Sequence, residues 1–167
     1  MRHKIFVRSS LSAERERALG YRIDPRDIRD AVSFTLEAED VPFPCEVAVI
    51  ITDDGGIREI NRAQRGIDEP TDVLSFPLQD FSPGQYGGAE YDIAAKRVPL
   101  GDVALSAERV IAQAAEYGNT PSREVNYLTV HSTLHLLGYD HADGSEQKRQ
   151  MRAREKEIMR RLGYEET

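Results

Sequence analysis

Along the chain the spacing of apolar positions changes several times, and the changes mark out strands interspersed with helices. Residues 3–7, His3-Lys4-Ile5-Phe6-Val7, pass from polar to apolar and predict a short first strand. A charged stretch follows. Asp24-Pro25 then reads as an N-cap with proline in the first helical turn. Ile28, Ala31, Val32 and Leu36 recur at helical spacing up to Asp40, before Pro42 and Pro44 stop the helix. Glu46-Val47-Ala48-Val49-Ile50-Ile51 is β-branched and almost continuously apolar, which predicts a central strand covered on both faces.

Asp53-Asp54-Gly55-Gly56 reads as a turn, Ile57 to Arg62 as a short helix, and Arg65 to Pro70 as a polar loop. Asp72 to Phe76 predicts a third strand. Residues 79–97 carry Pro83, Gly84, Gly87 and Gly88 without apolar periodicity, and read as a surface excursion of the lid or binding-loop kind. Gly101 to Leu105 predicts a fourth strand, and Ser106 caps a helix bearing Val110, Ile111 and Ala114. Thr120 and Pro121 open another helix, which runs through Leu128, Val130, Leu134 and Leu137 to Gly138. Asp143 and Glu146 resemble a capping pair for a last helix with Met151, Ile158, Met159 and Leu162 on one side. The pattern predicts a small sheet with helices packed on it, in a single domain of residues 1–167.

The 167 residues are 40% hydrophobic and 31% charged, a balance that suits one globular core and not a disordered chain. No apolar run approaches the roughly 20 residues of a membrane-spanning helix. Residues 1–10 lack the apolar centre of a secretory signal, and the lone Cys45 rules out an internal disulfide framework or a multi-cysteine zinc site. The expected location is therefore the cytoplasm, with no membrane partner. Net charge is −7, from 22 Lys+Arg against 29 Asp+Glu, so no global positive field advertises DNA, although a local basic groove is compatible with it. Residues 148–161 are basic, with Glu155 and Glu157 their only acids; such a run reads first as a solvated helix face and second as a contact for RNA phosphates.

Three of the four histidines, His131, His135 and His141, fall within eleven consecutive residues. His131 and His135 are four apart on a predicted helix and share a face. Gly138 lets the backbone leave the helix in a left-handed turn, after which His141 can return to the same point. Three imidazoles with an open fourth position are the usual donor set of catalytic zinc. The expected cofactor is one Zn2+ ion, with nickel or another divalent transition metal also suited to these ligands. The spacing invites comparison with metalloproteases, but Ser132 stands where their general-base glutamate would be, and this disfavours peptidase chemistry.

His131-Ser132-Thr133-Leu134-His135-Leu136-Leu137-Gly138-Tyr139-Asp140-His141 resembles the H-G-x-x-H-L-x-G-x-D-H signature of the YbeY family of bacterial endoribonucleases. Asn61 to Arg65, Pro70 to Pro77, and Leu100-Gly101-Asp102 resemble that family's other motifs in order and spacing. Ser132 departs from the family's glycine. The resemblance implies an α+β fold, a mixed four-stranded sheet flanked by about five helices. It also implies a metal-dependent endoribonuclease specific for single-stranded RNA, acting in 16S rRNA 3′-end maturation and ribosome quality control. The implied partners are the small ribosomal subunit and ribosome-associated proteins. Arg65 matches the family's signature arginine; its planar, permanently charged guanidinium can grip two phosphate oxygens in the transition state. Asp140 is a candidate either to fix a ligand imidazole or to cap a turn. Asp72 and Asp102 are expected to brace loops. Two other readings stay open: a metal hydrolase of another substrate class, and a ribosome-assembly factor whose metal is structural.

Overall fold

Four strands, β1 (Lys4–Ser9), β2 (Cys45–Thr52), β3 (Val73–Pro77) and β4 (Val98–Ser106), form one sheet in the order β1-β2-β4-β3. β2 runs parallel to both its neighbours, and β3 closes the edge antiparallel to β4. Among the described residues six helices accompany them: α1 (Ala13–Leu19), α2 (Pro25–Ala38), α3 (Asp54–Arg65), α4 (Ala107–Tyr117), α5 (Pro121–Leu136) and α6 (Ser145–Arg161). This α+β arrangement was obtained as a computed structural model and describes residues 2–140 and 144–164. Among them no helix is long and apolar enough to cross a membrane.

The period-two geometry of a strand sends alternate side chains to opposite faces. Val47, Val49 and Ile51 of β2 join the main core with α2, α5 and α6, while Ile50 packs with Ile57, Leu74 and Ala104 beneath α3. In β4 the alternation breaks. Val98 and Leu100 enter the main core, and so do Val103 and Leu105, because the register shifts by one residue opposite Glu46 and Val47. Gly101 sits at that bulge with φ +144°, where a Cβ would lie 2.3 Å from the Phe76 carbonyl oxygen. The Leu100-Gly101-Asp102 motif is thereby a device of the sheet. Asp102 is exposed within the strand, not at its start.

The caps at Asp24, Ser106 and Thr120 start α2, α4 and α5 as the sequence predicts, each side chain accepting from a backbone N–H of the first turn. Elsewhere the structure corrects the sequence reading. The charged stretch after β1 holds α1, capped by Ser12 and closed by left-handed Gly20; it buries none of its residues, so it carries no apolar stripe. Asp53 to Gly56 is a helix start, not a turn. Asp53 accepts from the Gly56 N–H at 2.9 Å, and α3 continues to Arg65. The glycine pair suggested a turn, but the cap overrides weak propensity.

The 79–97 segment is a surface excursion of mostly exposed residues, held to the body by its aromatics. Phe81 is buried, its ring centroid 5.3 Å from Tyr86 and 6.2 Å from Phe43. Tyr86 donates to the Glu39 carbonyl at 3.1 Å, and Gln79 to the Pro99 carbonyl at 2.8 Å. Asp143, half of the expected capping pair for α6, lies outside the described residues; Glu146 pairs with Arg149 at 2.9 Å.

Helix α5 crosses the middle of the helical layer and touches α2, α4, α6, β3 and β4. It ends in a turn that Gly138 makes with φ +98°, where the Tyr139 N–H donates to the Leu134 carbonyl at 3.1 Å. A Cβ on Gly138 would lie 2.2 Å from the Phe81 carbonyl oxygen, so this turn and the 79–97 segment are packed backbone to backbone. Gly138→Ala is accordingly expected to destabilise the protein by more than about 2 kcal/mol, through the strained φ and the displaced Phe81 backbone. Urea unfolding measures this; a midpoint unchanged from wild type would show that the turn yields freely.

Candidate metal centre

His131 and His135 emerge from successive turns of α5 with ring centroids 4.6 Å apart, nearly perpendicular. Each ring is fixed from outside through Nδ1. His131 Nδ1 lies 2.8 Å from Glu155 Oε1, and His135 Nδ1 lies 2.8 Å from the Tyr139 carbonyl oxygen. The second contact is made by the turn at Gly138, which brings the Tyr139 backbone under the ring. The first comes from α6, which packs along α5.

These partners determine the tautomers. A carbonyl oxygen only accepts, so His135 Nδ1 carries its hydrogen. Burial alone would raise the carboxyl pKa of Glu155, but the hydrogen bonds from His131 and Tyr127 outweigh it and hold that pKa below its ordinary range. Glu155 is therefore an ionised acceptor, and His131 Nδ1 is also a donor. In the neutral imidazoles both Nε2 atoms then present lone pairs, and they stand 3.2 Å apart. Two acceptors that close require a positive centre: a proton held by the pair, or a cation. Two nitrogens on one tetrahedral zinc, each at about 2.0–2.1 Å, would be separated by roughly 3.3 Å. The donor set and its spacing fit such an ion. The outer carboxylate and carbonyl are the kind of partners that orient metal-binding imidazoles.

Among the described residues no three His, Cys, Asp or Glu side chains are gathered to hold an ion. His131 and His135 form a two-nitrogen half-site, and His141 lies outside the described residues. Cys45 is buried on β2, and burial pushes its thiol up to about 12, far from metal-binding thiolate character. His3 accepts from the Cys45 N–H at 3.0 Å, a structural contact between chain segments.

The half-site opens into a cleft of about 750 Å³ whose walls include Arg65, Asp72, Ser75, Asp80 and Asp140. Arg65 is the last residue of α3, not part of a loop, and is exposed; left-handed Gly66 ends the helix there. Asn61 steadies the segment that follows by donating to the Glu69 carbonyl at 2.9 Å. Asp72 accepts from the Val73 N–H at 2.7 Å and from Gln113 at 3.2 Å, which braces the start of β3. Ser132 is fully buried, and its hydroxyl donates to the Thr129 carbonyl at 3.1 Å. At these two rings the Nδ1 partners are Glu155 and the Tyr139 carbonyl, not Asp140.

Sequence reading passed over Glu155. Its signal was present: it lies on the same side of the helix as Met151 and Ile158, so an acid occupies a core position. The Tyr139 contact has no such signal, since a carbonyl carries no residue identity.

A family model described as Endoribonuclease YbeY matches residues 18–163. A protein of that name from Roseiflexus sp. (strain RS-1) is 49% identical over 146 residues, covering 84% of this chain and 85% of the relative. Another from Chloroflexus aggregans (strain MD-66 / DSM 9485) is 47% identical over 143 residues, covering 84% and 89%. The solution structure of TM1509 from Thermotoga maritima has the same fold, with a TM-score of 0.54, 23% identity, and coverage of 95% of this chain and 91% of that one.

If Glu155 orients His131 for an ion, Glu155→Ala weakens zinc binding by about 10–100-fold. Competition against a chromophoric chelator, on protein shown to be folded by circular dichroism, reads the change. Affinity equal to wild type would remove Glu155 from the centre.

Proposed function

The chain belongs to the YbeY family of endoribonucleases, and from that membership we infer that it hydrolyses phosphodiester bonds of single-stranded RNA at the His131–His135 centre. The observation that carries this reading is the pair of Nε2 atoms 3.2 Å apart, each imidazole oriented through its other nitrogen, at the base of a cleft that Arg65 overlooks. In this reading His131 and His135, with His141 as third ligand, hold one zinc ion. When bound, the ion supplies Lewis-acid charge toward a phosphoryl oxygen and lowers the pKa of water to about 7.

The rest of the work falls to the chain. Glu155 and the Tyr139 carbonyl keep each Nδ1 protonated and each Nε2 directed inward. Arg65, in no ion pair among the described residues, grips the phosphate oxygens on which negative charge gathers in the transition state. The substrate in the cell is 16S rRNA in the small ribosomal subunit, matured at its 3′ end in the cytoplasm, and the same activity serves ribosome quality control with ribosome-associated proteins.

Removing zinc with a chelator, or replacing His135 by alanine, should abolish cleavage of a defined single-stranded RNA, and added zinc should restore only the first. Cleavage that survives both changes in rigorously purified protein would refute the reading; unfolding by both would favour a structural metal. Arg65→Ala should slow cleavage by about 10²–10³-fold while leaving zinc content per chain unchanged, as measured by elemental analysis. Lost zinc would refute its assigned role.

A further inference from the structure

Helix α5 leaves one stripe uncovered. Between Arg123 and His135 every residue off that stripe is buried, whereas Arg123, Tyr127, His131 and His135 reach the surface at four-residue steps. Each step advances about 6 Å along the helix. The stripe reads, in order, guanidinium, phenol ring, and two imidazoles. The Tyr127 ring centroid is 6.1 Å from that of His131, and its hydroxyl donates to Glu155 Oε2 at 2.8 Å, so the ring is tied to the same carboxylate that orients His131.

Past Tyr127 the stripe enters a second cavity of about 520 Å³ between α4, α5 and α6, lined by Tyr117, Arg123, Tyr127, Arg152 and Lys156. Tyr117 is 62% exposed, and Arg152 and Lys156 stand one turn apart on α6. Among the described residues Arg123 and Arg152 take part in no ion pair. Three acids share the cavity, and one of them, Glu155, is engaged by Tyr127 and His131. Burial, then the charge of Asp72, pushes the Glu124 carboxyl above its ordinary range, and the Asp72 oxygens are taken up by Val73, Thr71 and Gln113. Asp72 also walls the cleft that holds the imidazoles, so the two cavities adjoin.

We propose that this second cavity is a nucleotide subsite: single-stranded RNA lies along the α5 stripe, a base beside the cleaved phosphate stacks on Tyr127, and the next phosphate sits between Arg123 and Arg152. The proposal rests on the ribonuclease reading and names where that substrate is held. Stacking on a ring accepts any base but only an unpaired one, which makes the subsite a source of preference for single strands. Arginine supplies the phosphate contact because its charge is permanent and its donors are planar.

The test is fluorescence anisotropy on the full chain with a 5′-fluorescein single-stranded RNA of ten nucleotides, probe integrity being checked on a gel after each titration. Arg123→Gln with Arg152→Gln should weaken binding about tenfold at low salt. It should also make the slope of log K against log salt shallower by about 0.7, the value for one lost phosphate contact on a single strand. Tyr127→Leu should weaken binding about tenfold, whereas Tyr127→Phe, which keeps the ring and loses only the Glu155 bond, should bind within about twofold of wild type. Unchanged affinity and slope in the double arginine variant would overturn the subsite, as would Tyr127→Phe binding as poorly as Tyr127→Leu. Protein that binds with the expected sensitivities yet leaves RNA uncut in the presence of zinc would refute the ribonuclease reading while supporting the subsite.

Discussion

A helix enclosed on all sides but one confines chemistry to a single line of positions. Helix α5 is in that situation, and the enclosure dictates how its polar residues are used. Thr129 and Thr133 turn their hydroxyls back to carbonyls of α5 itself at 2.7 Å, and Ser132 does so at 3.1 Å, so the covered faces bury hydroxyls without asking neighbours for partners. The covered faces are thereby inert. Ser132, where the family signature has glycine, follows the same rule: its hydroxyl is spent on Thr129, inside the core and off the line that His131 and His135 share.

The histidines are positioned from a distance by two successive residues of α6. Glu155 holds His131 directly. Arg154 pairs at 2.9 Å with Glu39, which also accepts from the Tyr139 hydroxyl at 3.2 Å, and the Tyr139 carbonyl holds His135. Tyr86 in the 79–97 segment bonds the backbone of the same Glu39. A partly buried ion pair contributes little net stability once desolvation and screening are counted, so the value of Arg154 and Glu39 is geometric. They lock the turn after α5, the last helix and the 79–97 segment to one point. This explains why residues without regular secondary structure can still wall a defined cleft.

Much of this was legible in the chain, and the limits follow from physics. The strands announced themselves through β-branched runs, and three caps through Asp24, Ser106 and Thr120, because these signals act within a few residues. His131 and His135 were legible for the same reason: helical spacing alone puts them on one face. What escaped depends on contacts between distant segments. Glu155 looked like a stray acid in the basic run 148–161 until packing of α6 on α5 brought it to His131, 24 residues away in sequence. The anchoring of the 79–97 segment escaped because its anchors, Phe81 and Tyr86, are single aromatics in a glycine-rich stretch. Helix α1 escaped because it buries nothing, and a helix without a buried face has no periodic signature.

The net charge of −7 does not preclude an RNA substrate once the distribution of ion pairs is taken into account. Many arginines of the surface are neutralised where they stand: Arg26 by Asp24, Arg58 by Asp68, Arg109 by Asp54, Arg160 by Glu157. Arg65, Arg123 and Arg152 are not, and all three border the two cavities along the α5 stripe. At physiological ionic strength charges are screened beyond about 8 Å, so a phosphate in the cleft responds to those neighbours and hardly to acids on the far side of the sheet. A protein with an acidic total can thus hold a polyanion where unpaired cations line the path of its backbone.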